Sequence, residues 1–204
     1  EDMMIESEEQ LRELYGFPKG RAVEKEMPRL DRHCRRFIEH SPFLLLSTSD
    51  GSRLDVSPKG DAPGFVKVLD DETLLIPDRP GNKRLDGLRN ILRNPRVGLI
   101  FLVPNVGETL RVNGPATIHD EPELRELCAY QGRNPLTVLK VKTEEVFLHC
   151  AKSLMRSALW KTETWPERSA TLPPMNEMLR DQTGSHDPVE PEADMVKRYA
   201  KELY

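Results

Sequence analysis

Two hairpin signals in succession constrain this chain more than any other feature. Residues 43–49 and 53–57 are strand-like runs that flank Asp50-Gly51, and 65–69 and 73–76 flank Asp70-Asp71 in the same way. A short turn of this kind pairs neighbouring strands antiparallel. Four strands therefore arrive as two local hairpins. A helix over about 83–93 follows, then strand-like runs at 96–103 and 109–119, a short helix near 122–130 and a β-rich stretch 137–150. A doubly wound parallel sheet would need a helix at every crossover, and only one helix separates strands four and five. The spacing predicts a mainly β chain with flanking helices (α+β), six or seven antiparallel strands closing a small barrel.

Residues 1–42 read as two short helices. The first opens with a Ser7-x-x-Gln10 capping box and stops at Gly16-Phe17-Pro18; the second starts at Pro28, with Leu30, Cys34, Phe37 and Ile38 at helical spacing. One domain is expected over 1–182. The tail, 183–204, reads as loose up to Pro191 and helical beyond Ala193, packing on the body or on a second subunit.

At 204 residues, with 37% hydrophobic and 31% charged residues and a net charge of −4, the chain is long enough for a real core and is not built for polyanions, so nucleic acid is not an expected partner. The longest apolar stretch, 97–103, is too short to span a bilayer, and the acidic N-terminus does not read as a signal peptide. A cytoplasmic protein without a membrane partner is expected. Cys34, Cys128 and Cys150 suit free thiols. No Walker loop, G-x-G-x-x-G, C-x-x-C or H-E-x-x-H is present, and no metal site is expected; adjacent His149 and Cys150 face opposite sides of a strand.

Three clusters carry chemistry. In 76–92, a strand ends in a turn and a helix opens on Lys83 and Arg84, cations where acids are preferred. An anion docked there removes the mismatch: Asn82 as N-cap, Arg79 just upstream, both cations and the free N–H groups would hold a phosphate. The plain alternative is a solvated basic turn. On the second strand Arg53, Asp55, Ser57 and Lys59 recur at period two, giving one wholly polar face that is either solvent-facing or lines a polar ligand. Lys152, Arg156 and Trp160 stand at i, i+4 and i+8 and would share a helix face as a phosphate or ring clamp, or as a surface cation–π pair. Arg111 lies beside Asn113 on a further polar strand face.

The long motifs Ser57-Pro-Lys-Gly-Asp-Ala-Pro-Gly-Phe65, Leu75-Ile-Pro-Asp-Arg-Pro-Gly-Asn-Lys-Arg84, Glu108-Thr-Leu-Arg-Val-Asn-Gly-Pro-Ala116 and His149-Cys-Ala-Lys…Arg156-Ser…Leu159-Trp160 resemble the pyridoxamine 5′-phosphate oxidase-like flavoproteins, in their branch of uncharacterised FMN-dependent enzymes. The resemblance spans about residues 8–180. It implies a split β-barrel homodimer with FMN between subunits and a small-molecule substrate oxidised or reduced through the flavin. Carried over, Lys83 and Arg84 match the phosphate ligands, and Arg53, Ser57 and Lys59 match the strand lining the flavin. Ile76 and Pro77 match the backbone near its ring, and Arg156 with Trp160 match the closing C-terminal residues. Lys59 and Lys152 would make the flavin easier to reduce. No catalytic residue is assigned. Pro173-Pro174-Met175 and an acidic tail stand where the oxidase carries its substrate-gripping motif, which argues against vitamin B6 oxidation. The competing readings are an FMN- or haem-binding storage protein, with His149 as the candidate axial ligand, and a deazaflavin-dependent reductase.

Overall fold

Alternating strands build a continuous antiparallel sheet that wraps around a main apolar core, with a second small cluster of Leu75, Cys128 and Val138 beside it. The computed structural model describes residues 4–204, so the first three residues of the expected N-terminal helical segment lie outside it. The strands are β1 (Phe43–Ser49), β2 (Leu54–Gly60), β3 (Lys67–Asp70), β4 (Thr73–Asp78), β5 (Arg96–Leu102), β6 (Thr109–His119), β7 (Thr137–Lys142) and β8 (Glu145–His149). They pair in the order β2-β1-β5-β6-β7-β4-β3, with β8 also on β6. The expected antiparallel architecture is present, with eight strands in place of six or seven. The stretch 137–150 divides because the Thr143 N–H leaves the ladder for the Glu72 carbonyl (2.7 Å) and the Glu144 N–H donates to the Asn113 carbonyl (2.9 Å).

The splitting of the barrel happens along β6. From Leu110 to Pro115 it pairs with β5, and from Ala116 to His119 it pairs with β7. Just before that changeover lies Gly114, where an added Cβ would stand 1.9 Å from the Lys142 carbonyl oxygen. Backbone must move to admit any side chain. Gly114→Ala is therefore expected to destabilise the fold by about 3 kcal/mol, read by chemical denaturation; a loss below about 0.5 kcal/mol, the scale of an ordinary surface change, would mean the two sheets separate easily there.

Inward positions fill the core: Leu44 and Leu46 of β1, Leu74 and Ile76 of β4, Leu99 and Phe101 of β5, Leu110 and Val112 of β6, and Leu139 and Val141 of β7. Each contributes about 1.5–3 kcal/mol through burial. Helix α1 (Glu8–Tyr15) carries the expected Ser7/Gln10 capping box and ends at Gly16. After the single turn α2 (Arg21–Glu24), α3 (Arg32–His40) starts later than Pro28, because Met27 and Leu30 are held by the Val146 and Asp71 carbonyls (2.9 and 2.7 Å). Its cap is Asp31, whose carboxylate accepts the Cys34 N–H (2.8 Å), and Cys34 and Ile38 face the core.

The remaining helices are α4 (Asp86–Arg93), α5 (Pro122–Leu127), α6 (Lys152–Ser157), a 3-10 turn (Thr162–Thr164), α7 (Arg168–Thr171), α8 (Met175–Thr183) and α9 (Glu192–Lys201). In the segment expected to be loose, 183–191, Thr183 ends α8 and residues 185–191 form no helix or strand; it is anchored near its end at Glu190, whose carbonyl accepts from Asn176 Nδ2 (3.3 Å) and whose carboxylate accepts from Arg198 (2.8 and 3.2 Å). Among the described residues no helix is long and apolar enough to cross a membrane, and no group of three or more His, Cys, Asp or Glu is arranged to hold a metal.

Candidate functional site

The edge strand β2 is turned inside out relative to a solvent-facing sheet. Asp55, Ser57 and Lys59 stand opposite Thr48, Leu46 and Leu44 of β1 and so share the core-facing side. Leu54 and Val56 point outward, 79% and 61% exposed. An ordinary one-sided sheet shows the reverse. The strand does run straight through Lys59, and its polar face forms one wall of a cavity of about 290 Å³. The loop after β4 and the first turn of α4 form the other wall, contributing Asp78, Arg79, Asn82, Lys83, Arg84 and Gly87.

Helix α4 closes this end of the barrel because Ile91 is buried in the core with Leu88 packed against it. Asn90 Nδ2 donates to Thr48 Oγ1 (3.0 Å), fixing the helix over β1. The start of α4 corrects the sequence expectation. The helix begins at Asp86, so Lys83 and Arg84 lie in the preceding loop, the first turn carries an acid as usual, and Asn82 is not the N-cap. That position belongs to Leu85, whose side chain offers no cap and whose φ of 59° is left-handed; Lys83 has φ 62°. Asn82 Oδ1 instead accepts the Arg84 N–H (3.1 Å), a local turn. Two bulky residues in the left-handed region within three positions cost about 1–3 kcal/mol each, a kind of strain that collects at functional loops.

Most charges in the cavity wall are paired. Lys59 Nζ lies 2.7 Å from Asp78 Oδ1, so its field is largely offset. Arg84 Nε lies 2.8 Å from Asp86 Oδ2 and its side chain is exposed. Arg79 lines the cavity, but its guanidinium is engaged at the loop base: its Nε donates to Asp61 Oδ2 (2.8 Å) and its Nη2 to the Cys128 carbonyl (2.9 Å). Lys83 alone of these four cations has no ion-pair partner among the described residues. The Thr137 hydroxyl, which stands opposite Asp78 in the ladder, is buried without a hydrogen-bond partner.

The Asp61 carboxylate is the anchor behind the loop. Burial alone would raise its pKa, but hydrogen bonds from the Tyr204 hydroxyl, the Arg79 guanidinium and the Ala62 N–H outweigh burial and hold it below the usual carboxylate range. Tyr204 is pushed up to about 12, chiefly by the same Asp61 bond. Burial pushes the Cys34 thiol up to about 12 and raises Cys128, so neither is a ready nucleophile.

Of the residues singled out in the sequence, Asp55, Ser57, Lys59, Arg79, Asn82, Lys83 and Arg84 converge on the cavity. Ile76 and Pro77 are buried in β4, just before its cavity-lining end. Arg53 precedes β2 and is exposed. Arg111 lies under the Phe147 ring (4.9 Å) on the outer side of β6 and β8. Lys152 and Arg156 are exposed on α6, but Trp160 does not share their helix face: α6 stops at Ser157 because Ala158 turns left-handed (φ 52°), and the indole N–H donates to the Val106 carbonyl (2.9 Å). The partners Asp61 and Asp78 and the distant Tyr204 were missed. Both acids sit inside the quoted motifs, at Lys-Gly-Asp and Ile-Pro-Asp, but nothing local says which cation each one meets.

The family profile described as pyridoxamine 5′-phosphate oxidase matches residues 30–150. Among solved structures, HupZ from Group A Streptococcus is similar over 58% of this chain and 93% of its own, at 18% identity and a TM-score of 0.47. A candidate pyridoxamine 5′-phosphate oxidase from Lactobacillus delbrueckii is similar over 59% and 95%, at 22% identity and a TM-score of 0.46. An FAD-binding protein from Mesorhizobium loti is similar over 60% and 96%, at 16% identity and a TM-score of 0.41. No protein of curated function matches the chain.

Proposed function

Because the chain belongs to the pyridoxamine 5′-phosphate oxidase family, we propose that it is an FMN-dependent oxidoreductase for a small molecule, working as a homodimer with the cofactor between its subunits. The observation that carries this reading is the cavity between β2 and the loop before α4, where Lys83 is free of any ion pair among the described residues and Arg84 holds only an exposed one. A surface pair of that kind is worth about 0–1 kcal/mol, so Arg84 exchanges Asp86 for a phosphate at little cost. Lys83 and Arg84 would hold the phosphate, while Ser57 and the Lys59–Asp78 pair would line the polar chain of the cofactor.

The donor set fits a phosphorylated, hydroxyl-bearing ligand, since Ser57, Lys59, Asn82, Lys83 and Arg84 all line the cavity. The size fits only part of FMN. A cavity of about 290 Å³ is at the small end of ligand sites, which run from roughly 300 to 1,000 Å³. The ring system then needs a second surface, and the outward apolar side of β2 beside the cavity offers one to a second copy. In this arrangement Arg53, Arg111, Lys152, Arg156 and Trp160, which stand outside the cavity of their own chain, reach the site of the other subunit. The bound flavin would supply hydride or electron transfer; the protein binds it, orients it and shields it from water.

The test is the visible absorption spectrum of protein purified without added cofactor, with any chromophore released and identified. Flavin bands and released FMN are expected. A Soret band, or a colourless protein that takes up no added FMN, would overturn the assignment.

A further inference from the structure

The loop that joins β4 to α4 has cavities on both sides. On one side lies the space of about 290 Å³ shared with β2; on the other lies a larger one of about 900 Å³, bounded by residues 79–83 and by Arg198, Tyr199 and Leu203 of the C-terminal segment. A strained loop between two cavities has little packing to fix it, so its position depends on the few bonds at its base. Those bonds belong to Arg79, whose guanidinium is held by Asp61 and by the Cys128 carbonyl.

That base is completed from the far end of the chain. The Tyr204 hydroxyl donates to Asp61 Oδ1 (2.6 Å), its ring lies 5.4 Å from the Arg79 guanidinium carbon, and it stacks at 4.9 Å on Tyr130. Arg133 donates to the Tyr204 carbonyl. The Asp61 side chain is 1% exposed and that of Arg79 15%. A buried carboxylate that loses one of three donors is left partly unsatisfied, so it takes up water or shifts toward its two remaining donors, and Arg79 is then no longer held in a single geometry. We propose that Tyr204 is a positioning residue for the cofactor loop: α9 brings it to the Asp61–Arg79 pair, and its docking sets the geometry of residues 79–85 and thereby FMN affinity. The cofactor part of this statement rests on the function proposed above; the mechanical part does not.

The experiment is amide hydrogen exchange on the full chain, wild type against Tyr204→Ala and Tyr204→Phe, first without ligand and then with FMN, together with FMN titration of each protein. Without ligand, Tyr204→Ala is expected to speed exchange across residues 79–85 about tenfold while β4 and β7 keep their protection, with Tyr204→Phe in between because it keeps the ring and loses only the hydroxyl. FMN affinity is expected to fall about fivefold to tenfold in Tyr204→Ala, and reciprocally FMN should slow exchange in α9 of the wild type. A purely structural tail would not respond to FMN. Unchanged exchange over 79–85 in both variants overturns the proposal. So does faster exchange with FMN affinity intact, which would leave a mechanical contact without a positioning role. Should wild type bind no FMN while the loop still loosens, the cofactor assignment fails and the mechanical link stands. Should Tyr204→Ala lose protection throughout the barrel, Tyr204→Phe decides alone.

Discussion

Replacing Lys83 and Arg84 together by alanine is expected to weaken FMN binding by about a hundredfold while leaving the fold intact. A charge-assisted contact to phosphate contributes about 1.5–3 kcal/mol, roughly tenfold or more per residue. Both side chains are exposed, and removing them takes away one surface ion pair, Arg84 to Asp86 at 2.8 Å. Such changes usually move stability by no more than about 0.5 kcal/mol. The single variants should each lose about tenfold, with Lys83→Ala at least as damaging because Lys83 gives up no other partner to bind the anion. Fluorescence quenching of FMN reads the loss, and affinity in the wild type should fall with added salt as the phosphate contacts are screened. Alanine at Arg93, whose partner is Asp50 on the far side of α4, serves as the charge control and should leave affinity unchanged.

In the proposed homodimer, a charge at Val56 is expected to separate the two subunits. Val56 is 61% exposed and Leu54 79% exposed, and in the ladder β1 Leu45 stands opposite both Pro58 and Ile100 on the same outer side. The outer side of β2, β1 and β5 therefore carries an apolar group of exposed Leu54 and Val56 with half-buried Leu45 and Ile100, interrupted by Ser47 and Ser49, while the inner side of β2 is polar, the inverse of what water selects. Val56→Asp adds a charge that the isolated chain tolerates, since the position is open, but that an interface would bury at a cost of several kcal/mol. The dimer dissociation constant should rise more than a hundredfold, read by sedimentation velocity, with far-ultraviolet dichroism unchanged. FMN affinity should fall with it, because a cavity of about 290 Å³ covers only part of the cofactor. A wild-type chain that sediments as a monomer, or a Val56→Asp chain that remains a dimer, would remove this face from the account.

Period-two alternation made the strands legible, and local rules set both hairpins, the Ser7 capping box and the core face of α3. These features depend on residues a few positions apart, where spacing alone fixes geometry. The polar face of β2 was visible as Asp55, Ser57 and Lys59, although whether it faced water or the interior depends on which neighbours β1 brings. The start of α4 was misplaced because Lys83 and Leu85 adopt left-handed conformations that side-chain propensity disfavours. The electrostatic mismatch first attributed to Lys83 and Arg84 vanishes once the helix begins at Asp86, and the basic loop keeps its place in the cavity wall on other grounds. The anchoring of Arg79 was invisible for a different reason. Asp61 lies 18 residues away and Tyr204 lies 143 residues beyond Asp61, contacts that only the closed fold brings together. Trp160 failed as a helix-face residue through one left-handed position, Ala158, which no spacing rule marks.

The most direct measurement compares FMN with riboflavin on the apoprotein in one titration series. The two ligands differ only in the phosphate, so their affinity ratio isolates the loop formed by residues 79–85. FMN should bind at least a hundredfold more tightly than riboflavin to the wild type, and the ratio should collapse toward one in the Lys83→Ala, Arg84→Ala double variant. Equal affinities in the wild type, or a ratio untouched by the double variant, would contradict a phosphate site at this loop.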